Sequence, residues 1–161
     1  MKKRVEHSTA SAILSLATMI FLAGCLFIMP EPWWFISWGS FLIIFLGISL
    51  YYCPLSLLLT DNALELTRAC APIKEIPLAE IKSVRLHIPS IGTIRICGSD
   101  GFLGFWGWFQ ERNIGKYFAY YGKRTDAFLI ELIDGRKYML GCKNAKEMVD
   151  AINLRLSNIR I

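Results

Sequence analysis

Charge is missing from most of the first third of this chain. No Asp, Glu, Lys or Arg occurs between Ser8 and Met29, and after Glu31 none occurs from Pro32 until Asp61. Runs of that length without charge do not belong on the surface of a water-soluble domain. With no ionisable group inside them, they also lack the usual marker of a proton relay or an ion pathway, so a transporter is not indicated.

Other absences narrow the chemistry further. The five cysteines (25, 53, 70, 97 and 142) stand at irregular positions, with no CxxC pair and no Cys/His cluster. That spacing excludes the usual zinc patterns and reads as small apolar fillers, not as a disulfide framework. Neither GxxxxGK[ST] nor GxGxxG occurs, so the glycines form no recognised phosphate cradle and no cofactor is implied. His7 precedes the first apolar run, and His87 falls on the polar phase of a β-like run. Asp61, Asp100 and Asp134 all sit in turn-like words, where Asp is expected for backbone reasons. No paired set of titrating groups marks an active site, so the expectation is a non-enzymatic protein, with an enzyme as the third reading. Nucleic acid is disfavoured as well, since neither a basic helix nor an RNP-like strand appears.

What is present begins with hydrocarbon. The 161 residues carry a net charge of +5 and are 54% hydrophobic, and the mean hydropathy of +0.41 is too high for one soluble domain alone. About 20 apolar residues in a helix cover a hydrocarbon core of about 30 Å. Two such lengths fit, one from about Ser8 to Met29 and one from about Trp33 to Tyr52, joined by Pro30-Glu31-Pro32 as a helical hairpin. Trp33, Trp34 and Trp38 at one end of the second run, and Tyr51 and Tyr52 at the other, match the aromatic belts of membrane helices. Small residues (Ser11, Ser15, Gly24, Gly39, Ser40, Gly47) are expected to let the two helices pack closely. Lys2, Lys3 and Arg4 precede the first run, the link has no cation, and Arg68, Lys74, Lys82 and Arg85 follow the second. Both termini are therefore expected in the cytoplasm of a bacterial inner-membrane, multi-pass protein.

A second signal competes at the N-terminus. The words MKKR, an apolar run and LAGC resemble a bacterial lipoprotein signal ending in Cys25 as the lipidated residue. The apolar run continues through LFIM, longer than a usual signal core of about 7–15 residues, which favours an uncleaved helix and leaves lipidation the minority reading.

From about Ser56 the pattern changes to short β-like runs. SLLLTDNALELTR reads as a hairpin turning at Asp61-Asn62. Val84, Leu86 and Ile88, and then Ile94 and Ile96, alternate with polar residues and predict strands with one buried face. Asp134-Gly135 between two β-rich runs is a hairpin signal. Asn144 with Glu147 reads as a helix N-cap pair, and Met148, Val149, Ile152, Leu156 and Ile159 recur at helical spacing behind it. Six or seven antiparallel strands and one closing helix result.

Strands followed by GSDGFLGFWGWF, then NIGKYFAYY, then FLIELIDGRKYML and a final helix resemble the bacterial PH-domain proteins in which two transmembrane helices precede a pleckstrin-homology-like domain. The resemblance covers about residues 10–157. It implies a membrane α-hairpin (residues 1–55) followed by an α+β, mainly β domain (residues 56–161) with a PH-like fold, a partly open seven-stranded barrel capped by the C-terminal helix.

The segment Gly98 to Phe109 places glycines at 98, 101, 104 and 107 among Phe102, Phe105, Trp106, Trp108 and Phe109. Three uses stay open: rings that fill a core, rings that meet the headgroup layer or the helix ends, and rings that meet a protein partner. A basic pair at each of two turns, Lys123-Arg124 and Arg136-Lys137, is a further candidate for contact with an anionic leaflet. The leading expectation is a membrane-anchored interaction or assembly module whose partners are the bilayer and either a second copy or another membrane protein. A sensor of anionic lipid surface is the alternative.

Overall fold

The computed structural model describes residues 1–28, 31–90 and 92–159. A short strand β1 (Lys2–Arg4) is followed by two helices, α1 (Thr9–Ile28) and α2 (Pro32–Tyr52). Met29 and Pro30, at the expected hairpin link, lie outside the described residues. Large apolar side chains of both helices point outward, among them Leu16, Ile20 and Phe21 on α1 and Trp33, Ile43 and Ile44 on α2. α2 is long and apolar enough to cross a membrane by length and composition, and α1 carries a shorter apolar stretch, Thr9–Cys25. The helices are tied by the Trp38 indole, which donates to the Leu22 carbonyl at 3.1 Å. Close packing through glycine is not how they meet: a Cβ added at Gly24, Gly39 or Gly47 would find nothing within 4 Å.

Only Cys53 separates α2 from β2 (Pro54–Leu59), so the helix runs straight into the β domain. The strands β3 (Ala63–Arg68), β4 (Lys74–Pro77), β5 (Ile81–Leu86), β6 (Ile94–Gly101), β7 (Gly104–Glu111), β8 (Gly115–Tyr121), β9 (Ala127–Leu132) and β10 (Lys137–Gly141) follow, and α3 (Ala145–Ile159) ends the described chain. They form a four-stranded sheet in the order β1-β2-β3-β4 and a six-stranded sheet in the order β5-β9-β10-β8-β7-β6. No ladder joins the two sheets among the described residues, so the barrel is open. Where seven antiparallel strands are expected, ten are described, and β8 and β10 run parallel.

The period-2 pattern explains which faces meet. Leu57 and Leu59 of β2 and Leu64 and Leu66 of β3 point at Phe128, Ile130, Leu132 and Leu140 of the larger sheet, forming the main core. Each fully buried Leu or Ile contributes about 1.5–3 kcal/mol. α3 closes this core with Met148, Val149, Ile152 and Leu156, while Ile159 is exposed. At its start Asn144, with a positive φ of 57°, donates from its side-chain amide to Glu147 at 3.0 Å, so the expected capping pair meets through side chains. The opposite face of the larger sheet carries a second buried cluster containing Tyr117, Ala119, Leu129 and Met139. The central strands are thus apolar on both faces, which is why AFLIEL reads as a run and not as an alternation.

Two expectations fail at the sheet edges. Ile94 and Ile96 are exposed, because β6 is an edge strand bulged between Arg95 and Cys97. Leu86 and Ile88 are exposed at the end of β5, the other edge.

The first residues belong to the smaller sheet. β1 pairs antiparallel with β2, Lys2 opposite Leu58 and Arg4 opposite Ser56. Lys143 donates its backbone N–H to the Arg4 carbonyl at 2.9 Å. Two ion pairs flank that bond, Lys3 with Glu147 at 2.6 Å and Lys143 with Glu6 at 2.9 Å. A hydrogen bond from Lys143 and its charge hold the Glu6 carboxyl below its ordinary value of 4.5, and Lys3 does the same for Glu147. Folded-state values below the unfolded ones mean stabilisation that is present above about pH 4.5 and lost as pH falls through the lowered values. Acidification should therefore free β1 before the main core: amide exchange at Lys3 and Val5, corrected for intrinsic rate, should rise below that pH while Leu140 stays protected. Equal protection of β1 at pH 3 and pH 7 would refute this.

Candidate functional site

The glycine spacing that raised a question in the sequence turns out to be a mirror-symmetric hairpin. Gly101 stands opposite Gly104 across the turn Phe102-Leu103, and Gly98 stands opposite Gly107 further down the same β6–β7 ladder. At the lower pair φ is +130° and +117°, and a Cβ at Gly107 would lie 2.6 Å from the Gly98 Cα. Glycine is required there on both strands, since a side chain on either would strike the opposite backbone.

The tip of this hairpin docks on α1. Ser11 Oγ donates to the Gly101 carbonyl, and the Leu103 N–H donates to Ser15 Oγ at 2.9 Å. Those two serines therefore serve the domain, one turn apart on a single helix face. The other crossing is equally close: the Ser8 N–H donates to the Gly122 carbonyl at 3.2 Å.

Alternation along β7 then sorts the aromatic residues. Trp106, on the core face, is 8% exposed and stacks on Tyr52 of α2, with ring centroids 5.3 Å apart and planes 13° apart. Phe102, at the tip, is buried with its ring 5.0 Å from Phe45 of α2. Phe109 faces the other way, into the second cluster beside Tyr117. Phe105 is half-buried, stacked on Tyr121 at 4.7 Å and covered by the Arg124 guanidinium at 5.2 Å. Trp108 is 41% exposed, with the Lys116 ammonium 4.6 Å above its ring.

The basic turns are not gathered into one patch. Lys123 is exposed, Arg124 pairs with Asp100 at 3.2 Å, Arg136 pairs with Asp134, and Lys137 donates to the Ile114 carbonyl at 2.8 Å. β10 starts beside the start of β8, whose other end leads to Gly122, so Arg136-Lys137 and Lys123-Arg124 lie at opposite ends of these strands. Cys25 lies inside α1, without a break in the helix.

Beside the Tyr52–Trp106 stack opens a groove of about 310 Å³ between the end of α2, the β3–β4 edge and β8. Tyr51, Tyr52, Tyr120 and Tyr138 line it together with Arg68 and Lys74, over Trp108 and Phe118. No carboxylate is among these lining residues. Arg68 lies against the Tyr51 ring at 5.2 Å and Lys74 against the Tyr138 ring at 4.7 Å. Burial pushes the Tyr120 hydroxyl up to about 12, against the opposing pull of Arg68, so it remains a hydrogen-bond donor at neutral pH. In the sequence Arg68 and Lys74 stand only as cations after the second span. The available signal was their phase: Leu64-Leu66-Arg68 and Lys74-Ile76 put both cations on the core-facing side of their strands. Among the described residues, no group of three or more His, Cys, Asp or Glu side chains could hold a metal ion.

A two-sheet, helix-closed β domain of this kind is the PH-like class. Residues 55–156 match the family described as Bacterial PH domain, and the chain belongs to that family. No curated protein and no solved structure matches the chain.

Two substitutions test this joint. Gly107→Ala should destabilise the domain by about 2–4 kcal/mol, because the backbone of β6 must move to admit the methyl group. Trp106→Ala should cost about 3–5 kcal/mol, as expected for a large buried ring removed from a stack. Both are read from denaturant unfolding of the full chain in micelles, and wild-type midpoints for both would refute the assigned packing.

Proposed function

We propose that this protein is a non-enzymatic, membrane-anchored PH-like interaction module, with α1 and α2 crossing the bacterial inner membrane as a hairpin and the domain held at its cytoplasmic face. The observation that carries this reading is the apolar surface that both helices turn outward, such as Trp33, Trp34, Ile43 and Ile44 on α2. A helix with no polar side has no stable exposure to water, and lipid is the solvent that suits it. The pairing of β1 with β2 supports a hairpin that crosses twice, since the residues before α1 and after α2 share one sheet and so one side. The cations of Lys2 to Arg4, Arg68 and Lys74 favour that side being cytoplasmic.

A domain joined to its anchor through Cys53 alone and clamped by Ser11, Ser15 and Tyr52 presents a fixed face to whatever approaches along the membrane. A second copy or another membrane protein is the partner this geometry serves. A sensor of anionic lipid is the second reading, favoured by exposed Trp108 with Lys116 above it and by the cationic groove alongside.

Native thiols provide the test. Cys70 and Cys97 are exposed, whereas Cys53 and Cys142 are buried, and burial pushes the Cys142 thiol up to about 12. A membrane-impermeant maleimide should label Cys70 and Cys97 in inverted inner-membrane vesicles but not in spheroplasts, and should spare Cys53 and Cys142 in both. Labelling of Cys70 in spheroplasts, or release of the chain by alkaline carbonate, would overturn the reading.

A further inference from the structure

We infer that the groove enclosed by Arg68, Lys74 and the last turn of α2 is a binding site for a phosphate group. Strand phase turns both cations inward. Arg68 follows Leu64 and Leu66 on the side of β3 that faces the core, and Lys74 stands opposite Leu66 on β4. Cations are seldom placed on an inward phase, because removing them from water is costly unless an anion or a set of acceptors meets them. Here the partners fall short. Arg68 donates from Nη2 to the Pro72 carbonyl at 2.6 Å, while its Nε is buried and has no hydrogen-bond partner. Lys74 rests on the Tyr138 ring. The groove therefore holds two positive charges with no carboxylate in its lining.

Hydroxyl donors complete the set. Tyr52, Tyr120 and Tyr138 line the same groove as Arg68 and Lys74, so phenol side chains and both cations converge on one space. Its volume of about 310 Å³ falls at the lower end of small-ligand clefts, which run about 300–1,000 Å³. A guanidinium fork, an ammonium and neutral phenols together suit the oxygens of a phosphate. Tyr51 and Tyr52, which line the groove, are the residues that mark the headgroup level if α2 spans the bilayer. A lipid headgroup as the source of the phosphate rests on the membrane reading above, whereas the site itself does not.

The experiment uses the full chain in two arms. In the first, the protein is placed in nanodiscs of phosphatidylglycerol and phosphatidylcholine in equal amounts, released, and weighed by native mass spectrometry for retained lipid. In the second, the detergent-solubilised chain is titrated with inorganic phosphate, and binding is followed by tryptophan fluorescence, which Trp106 and Trp108 bring close to the groove. Wild-type protein should retain phosphatidylglycerol in preference, and Arg68→Gln and Lys74→Gln should each weaken binding about tenfold or more. Lys123→Gln, away from the groove, should behave as wild type. Inorganic phosphate binding with the same sensitivity to both variants, without lipid retention, supports the site and assigns it a soluble ligand. Absence of binding in both arms overturns the inference, as does wild-type binding by Lys74→Gln, whose half-exposed position keeps it informative should Arg68→Gln fail to fold. Carbonate release of a chain that still binds phosphate would sink the anchor alone.

Discussion

Where the smaller sheet runs out, the core face of the larger one would meet water at Trp106 and Tyr120 if the last turn of α2 did not lay Tyr52 across it. The PH-like domain is thus finished by a residue that does not belong to its strands. With Cys53 as the sole residue between helix and strand, a rotation of α2 would pull Tyr52 off Trp106 and open the core. Helix orientation and core integrity are coupled through that one stack. Ser11 and Ser15 on α1 and Phe45 on α2 add further clamps, so the helices and the domain meet at several places, and a lone hinge has no room to act.

The same joint shapes the electrostatics. An open barrel leaves a mouth between its sheets, and here the mouth is bordered by aromatic rings with two cations on the inward phase. Of the turn cations, Arg124, Arg136 and Lys137 are partnered locally by Asp100, Asp134 and the Ile114 carbonyl, and Lys123 is exposed. Strand phase sets Arg68 and Lys74 apart from the other basic residues: both are turned inward, beside a groove whose lining contains no carboxylate.

Much of the fold could be read from the residues. The hydrocarbon runs, the Asp61-Asn62 and Asp134-Gly135 hairpins and the closing helix all follow local rules of length, turn chemistry and periodicity, and each appears where those rules place it. Edges were less legible. Ile94 and Ile96 alternate as buried residues do, yet a strand's place at the rim of a sheet is decided by its partners, which alternation does not encode. β1 was hidden for a related reason: Lys2 to Arg4 look like a charged flank until β2 is there to pair with them. The glycine ladder was visible as a spacing, but its meaning as two facing pairs needed the turn at Phe102-Leu103 to be located. The groove draws its lining from α2, β3, β4, β7, β8 and β10, elements that no local pattern relates.

The ladder between β1 and β2 has a consequence for biosynthesis. The bond from the Leu59 N–H to the Met1 carbonyl, at 2.8 Å, joins the beginning of the chain to a strand made only after both helices. During translation β1 stays unpaired until α1, α2 and β2 have all been made. If α1 and α2 cross the bilayer as proposed, the smaller sheet can be completed only when β1 and β2 emerge on the same side, because a helix inserted the other way would strand Lys2 to Arg4 away from their mate.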